Sequence, residues 1–429
     1  MRKLSPTRIM MILVPIWLVF GWIGFVDNNP ISDGYSKGGD LYALYMAGVA
    51  YQAGLPELVY ASPENFFSGD MPGGWGQLMI SRGMPESFAF PYLYPPLWVG
   101  VVAPLTDIVS MHSFGTAVLI AHILMLAALP WMALKLVGAT DAPWAALWLI
   151  IAFGFMVGTT PFQSALFFNQ LQITSSFLIV AGLLAYRGDR AVMAGVLIGL
   201  AASIKIVPAL FGLIFLLDRN WRAAAVTALT GIALLLASIA MMGVDLHQHM
   251  LAQFQKISAM TPIGHSNWAL ESLLYEVHRW LTSTPMPDTS NEVMPVLNAP
   301  AWVQTTPRML LILGIALTAA LSWSAPAKSK LGLQVLALSL LLALMGPLGW
   351  SHYFTLPLLL LPCLIPPSPT GRFWAIFLGI GAVISMVMFQ TLLPLNALAQ
   401  ATVIGPALVM LALLLWTFPM LGSSSTSAR

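Results

Sequence analysis

Residues 191–217 read AVMAGVLIGLAASIKIVPALFGLIFLL, an apolar stretch interrupted by Lys205 and Pro208. Arg187 and Arg190 precede it, and Arg219 and Arg222 follow it. The positive-inside rule puts both arginine pairs, and so both ends of the stretch, in the cytoplasm. One straight helix of this length would place its ends on opposite sides of a bilayer. Two ends on one side predict two short helices that meet around Lys205 at the far face. A hairpin of this kind needs lipid around it, so the stretch predicts a polytopic integral membrane protein.

The rest of the chain agrees. Of the 429 residues, 58% are hydrophobic and 8% charged, against about 25% charged in soluble domains. So few charges cannot cover a water-facing surface. The net charge of +2 and the lack of any basic run exclude nucleic acid as a partner. Cys363 is the one cysteine, so neither an internal disulfide nor a cysteine zinc site is available. Further spans are expected near 9–26, 114–134, 143–158, 171–186, 223–243, 308–324, 331–348, 373–390 and 401–418, with a short candidate at 352–366. Residues 94–110 carry Pro95, Pro96 and Pro104 and predict a short or re-entrant helix. The expected fold class is all-α polytopic, with about twelve transmembrane helices and two large outer loops. The expected division is an anchor over 1–26, retained rather than cleaved, and a first outer loop over 27–93. A core membrane region over 94–243, a second outer loop over 244–307, a C-terminal membrane region over 308–418 and a disordered tail over 419–429 follow. Within the first loop, Leu41, Leu44, Tyr45 and Gly48 share one face of a helix expected over 40–53, lying along the membrane surface.

Several polar residues stand where chemistry is possible. Asp40 opens the 40–53 helix, where a carboxylate serves either as an N-cap or as a general base held at the surface. Tyr94-Pro95-Pro96-Leu97 has the proline pattern of a helix start and reads as scaffold. Asn169-Gln170-Leu171-Gln172 sits at a helix mouth, where amides cap the helix or bind hydroxyl-rich ligands. Lys205 is costly inside a membrane segment and marks a site by default, with an anion such as a lipid phosphate as partner; snorkelling is the plainer reading. In Trp350-Ser351-His352-Tyr353 the aromatic residues suit an interface, and His352 is able to donate to a phosphate. His247, His249 and His265 lack a spacing that makes a metal site. Asn267 and Trp268 have the character of residues that pack over a site.

Taken in order, these motifs resemble glycosyltransferase family 87, the polyprenyl-phosphate-mannose-dependent α-mannosyltransferases. The similar features are Gly39-Asp40 with Tyr45 and Gly54, Tyr94-Pro95-Pro96-Leu97, and Asn169-Gln170, where the family's usual pair is Gly-Gln. They continue through Ala194 to Lys205 with Pro208, Arg219-Asn220-Trp221-Arg222, Asn267 and Trp350-Ser351-His352-Tyr353. The resemblance implies a GT-C fold with its active site on the outer face of a bacterial plasma (inner) membrane. It implies a cell-envelope glycosyltransferase that draws on a polyprenyl-phosphate sugar donor, most commonly mannose, and a glycolipid or glycan acceptor. Asp40 is then the catalytic base, and Lys205 and His352 hold the donor phosphate. Tyr45, Asn169, Gln170 and Asn267 bind substrate, and neither metal nor cofactor is expected. Direct displacement with inversion follows from a single base. The competing class is a lipid or solute transporter or flippase of the envelope. Large outer loops and the lack of a visible inverted repeat count against it.

Overall fold

The computed structural model describes residues 38–63, 66, 70–84, 87–138, 145–264, 266–285, 294–323, 330–365, 371–385 and 395–422. The anchor expected over 9–26, His265 and residues 423–429 lie outside them. The described residues are mostly helical, with one two-stranded sheet of three residues per strand among them.

The helices of the first half are α1 (Gly39–Gln52), α2 (Trp75–Ser81), α3 (Pro96–Val102) and α4 (Met111–Val137). Next come α5 (Ala145–Gly158), α6 (Thr160–Phe167), α7 (Gln172–Arg187), α8 (Ala191–Ile204) and α9 (Gly212–Leu217). The second half holds α10 (Trp221–Ser258), β1 (Thr261–Ile263), α11 (Leu270–Thr282), β2 (Met294–Val296) and α12 (Ala301–Ser322). It ends with α13 (Leu331–Met345), α14 (Thr355–Leu359), α15 (Gly371–Val383) and α16 (Leu395–Gly422).

Among the described residues, α4, α10, α12 and the Ile404–Gly422 part of α16 are long and apolar enough to cross a membrane. α5 and α6 meet at 56° and together make a fifth candidate. Leu124, Leu229, Leu236, Ile312 and Leu313 are exposed on these helices, as lipid contact demands. The last helix runs to Gly422, so residues 419–422 of the expected tail are helical. Residues 94–110 form only α3 and one 3-10 turn, Ala103–Leu105.

The 191–217 stretch is broken as its charge pattern predicts. α8 ends at Lys205, whose backbone is extended (φ −137°, ψ 134°). Pro208 has no N–H for the Ile204 carbonyl, so the helical ladder cannot continue. A 3-10 segment, Val207–Phe211, then leads into α9. The indole of Trp98 donates to the Ser203 carbonyl at 2.8 Å, which satisfies one of the orphan acceptors at the end of α8. Gly195 and Gly199 bring α8 against α10. A Cβ on either would stand 2.7 Å or less from Val226 or Thr230, the close approach that small residues four apart allow in membrane helices.

Two departures from the sequence reading matter for the site. The helix expected along the membrane surface is α1, and protein surrounds it on nearly every side, with Leu41, Met46, Ala47 and Ala50 all buried. It belongs to a second hydrophobic core with Tyr60, Trp75, Tyr92, Met242, Leu246 and Met250. The segment expected as the second outer loop also begins as helix. α10 continues past the expected end of its span through Gly243, which is non-helical (φ 77°, ψ 165°). His247 bridges this break, bonding the Gly243 carbonyl at 2.7 Å and the Ser238 hydroxyl at 2.9 Å.

Candidate active site

A cavity of about 450 Å³ opens where α1, the mouth of α7, the α8–α9 break, the end of α10 and the 350–356 turn converge. Asp40, Tyr94, Gln170, Gln172, Lys205, His352 and Tyr353 line its polar part. Ile179, Phe211, Leu342 and Leu356 line an apolar part.

Asp40 reaches the cavity because of the two residues before it. Gly38 takes a left-handed conformation (φ 112°) and precedes the first turn of α1. A side chain on Gly39 would press on the Phe90 ring at 2.9 Å, and Phe90 N–H bonds the Gly39 carbonyl at 3.1 Å. The cap position therefore belongs to Gly38, and Asp40 is the second helical residue. Its charge benefits from the helix N-terminus while the carboxylate faces outward.

The Gln170 side chain donates from Nε2 to Asp40 Oδ2. Its Oε1 accepts from the Tyr94 hydroxyl at 3.1 Å. Burial pushes the Tyr94 hydroxyl well above the ordinary phenol range, and the negative charge of Asp40 adds to this. Tyr94 therefore stays protonated as the donor. Its carbonyl in turn accepts from the Tyr60 hydroxyl at 2.7 Å.

Lys205 lines the same cavity. Its ammonium is 4.4 Å from the centre of the Tyr353 ring and 5.7 Å from that of Tyr94, and it donates to Gln172 Oε1 at 3.1 Å. Among the described residues no carboxylate lies within ion-pairing distance of it. Aromatic faces stabilise a cation without neutralising it, so the charge remains available to an anion. His352 packs edge-on to Tyr353, with ring centres 4.8 Å apart. Among the described residues its ring nitrogens have no partner.

The structure thus brings Asp40, Gln170, Lys205 and His352 together and sends three other expected site residues elsewhere. Tyr45 is buried, and its hydroxyl bonds the carbonyls of Val109 at 2.7 Å and Thr106 at 3.2 Å, tying α1 to the turn before α4. Asn169 is buried behind the cavity wall with a left-handed backbone (φ 51°). Glycine and asparagine adopt this conformation most readily, which accounts for Asn standing where the family pattern has Gly. Asn267 is a staple. Its amide donates to the Pro262 carbonyl at 2.8 Å and Ser272 Oγ at 2.9 Å, and its oxygen accepts from Gly349 N–H at 2.7 Å. It holds the chain just before His352 in place. Asn267→Ala leaves the buried Gly349 N–H without that acceptor and is expected to cost about 3 kcal/mol. Thermal unfolding of the detergent-purified protein measures this, and an unchanged melting temperature would contradict the stapling role. From sequence alone Tyr94, Gln172 and Tyr353 have the character of scaffold, helix mouth and interfacial anchor. Only the tertiary fold turns them toward Lys205.

The family model described as Glycosyltransferase family 87 matches residues 92–348. The chain belongs to this family. The matched segment carries Tyr94, Gln170, Gln172 and Lys205, while Asp40 and His352 reach the same cavity from outside it. A curated relative in Mycolicibacterium smegmatis, a polyprenol-phosphate-mannose-dependent alpha-(1-2)-phosphatidylinositol pentamannoside mannosyltransferase, is 27% identical over 295 residues. That alignment covers 66% of this chain and 63% of the relative, so the chain matches less than two thirds of the relative's length. No solved structure matches the chain. This family 87 member thus brings a carboxylate to the same cavity as a lysine that has no ion-pair partner among the described residues.

Proposed function

We propose that this protein transfers mannose from polyprenyl-phosphate mannose to an acceptor hydroxyl at the outer face of the bacterial plasma membrane, with inversion at the anomeric carbon. The observation that carries the reading is the joint opening of Asp40 and Lys205 onto one cavity with an apolar side. A sugar phosphate on an isoprenoid needs all three: a base, a cation and a greasy wall. The donor named for the curated relative supports the same choice, and a glycolipid is the matching acceptor. We take the fold to be GT-C with about twelve spans; with both arginine pairs that flank the α8–α9 break on the cytoplasmic side, Lys205 then lies at the outer leaflet.

In this mechanism Oδ2 of Asp40 is occupied by Gln170, and Oδ1 takes the proton of the acceptor hydroxyl. The acceptor oxygen forms its bond to the anomeric carbon as the bond from that carbon to the phosphate oxygen breaks. The electron pair leaves on the phosphate, where Lys205 and His352 stabilise it. The isoprenoid lies along Phe211, Ile179, Leu342 and Leu356. A β-linked donor gives an α-linked product, because one displacement inverts the centre.

The test is an assay in membranes with and without the protein, supplied with radiolabelled polyprenyl-phosphate mannose. Label is expected to move into a lipid-extractable product only when the protein is present, with an α-linkage by mannosidase digestion. Label that crosses the bilayer still attached to its carrier would overturn the transferase reading in favour of a transporter.

A further inference from the structure

We infer that His122 is a positioning residue for the carboxylate at the site, acting through Asn169 and Gln170. His122 is fully buried in the middle of α4, among apolar neighbours, where an imidazole is tolerated only if its nitrogens are bonded. Both are. Nδ1 meets Asn169 Oδ1 at 2.7 Å and Nε2 meets Thr174 Oγ1 at 2.9 Å.

The protons can be assigned by elimination. The Asn169 amide nitrogen donates to the Gly115 carbonyl at 2.9 Å, so its oxygen is an acceptor and His122 Nδ1 carries the hydrogen. Nε2 then accepts from the Thr174 hydroxyl. A neutral ring in this tautomer joins α4, the turn at 169 and the first turns of α7. The left-handed residue it grips is directly followed by Gln170, whose amide donates to Asp40 while its oxygen accepts from Tyr94. Both polar ends of Gln170 are thereby used. Gln170 orients the carboxylate instead of reading a sugar, and the His122–Asn169 latch keeps it aimed.

The inference rests on Asp40 being the base. A donor bonded to a carboxylate favours its charged form. Loosening Gln170 makes protonation easier and moves the acid limb of the pH–rate profile to higher pH. In the radiolabelled polyprenyl-phosphate mannose assay, with lipid extract of the source membranes as acceptor, His122→Phe is expected to lower kcat about tenfold. Its KM for the donor stays near the parental value, and the acid limb rises by about one pH unit. His122→Asn keeps a donor where Nδ1 stood and should restore most of kcat and the parental limb. Asn169→Gly retains the left-handed backbone and drops the latch, and it covers the case in which His122→Phe does not fold. It is expected to shift the limb in the same direction. A folded His122→Phe or Asn169→Gly with an unmoved acid limb overturns the latch and leaves the base assignment standing. Parental turnover by Asp40→Asn in the same assay overturns the base assignment and the latch together.

Discussion

Asp40→Asn is expected to lower the rate of transfer by about 10²- to 10⁴-fold, the range that a positioned general base contributes. The substitution keeps shape and volume. The new amide oxygen still accepts from Gln170 Nε2, which leaves the Asn nitrogen facing the acceptor hydroxyl. That nitrogen has no basic lone pair, so the acceptor proton has nowhere to go. Binding of the donor phosphate, which the proposal assigns to Lys205 and His352, should change little. The decisive measurement is single-turnover transfer with saturating donor, together with the melting temperature of the purified variant. A stable variant that turns over at the parental rate rules out Asp40 as the base.

Lys205→Met is the second large effect. Methionine keeps an unbranched stem of similar length against the Tyr353 ring and removes the charge. Loss of one fixed group that stabilises a developing anion costs about 10²- to 10³-fold in kcat. Because the donor already carries a phosphate, its KM should rise as well, whereas acceptor KM should hold. Lys205→Arg is not a conservative rescue. The planar guanidinium would have to fit between two aromatic rings spaced around a compact ammonium. Donor dependence identical to the parent in Lys205→Met would remove this residue from the phosphate site.

Some of the site could be read directly from residue order. A lysine and a proline inside an arginine-bracketed apolar stretch announce the α8–α9 break, because the lysine is expensive in lipid and the proline interrupts the helical ladder. A helix start at Asp40 is likewise legible, but the cap is Gly38, not Asp40, and the Phe90 ring leaves no room for a side chain on Gly39. Other features are invisible in one dimension. The Gln170–Asp40 bond spans 130 residues, and nothing local distinguishes Gln170 from Asn169, its neighbour, which faces the opposite way into α4. Asn267 and Tyr45 have the composition of ligand residues, yet each ties down a distant turn, at Gly349 N–H and the Val109 carbonyl. The apolar periodicity of α1 could not distinguish lipid from protein as the neighbour, since both bury the same side chains. The same ambiguity hid the helical continuation of α10 beyond Gly243. Polar residues there suggest a loop, but Leu246 and Met250 pack into the second hydrophobic core.

The aromatic cage of Lys205 has a consequence for the pace of the cycle. The intact donor is a phosphodiester with one negative charge, whereas the spent carrier is a monoester bearing about 1.5 to 2 at neutral pH. An ammonium with no carboxylate at ion-pairing distance among the described residues draws the more highly charged species harder. On the proposed reaction, the carrier freed by each round is therefore retained more firmly than the donor that must replace it, and it has to leave into the bilayer before the next round begins.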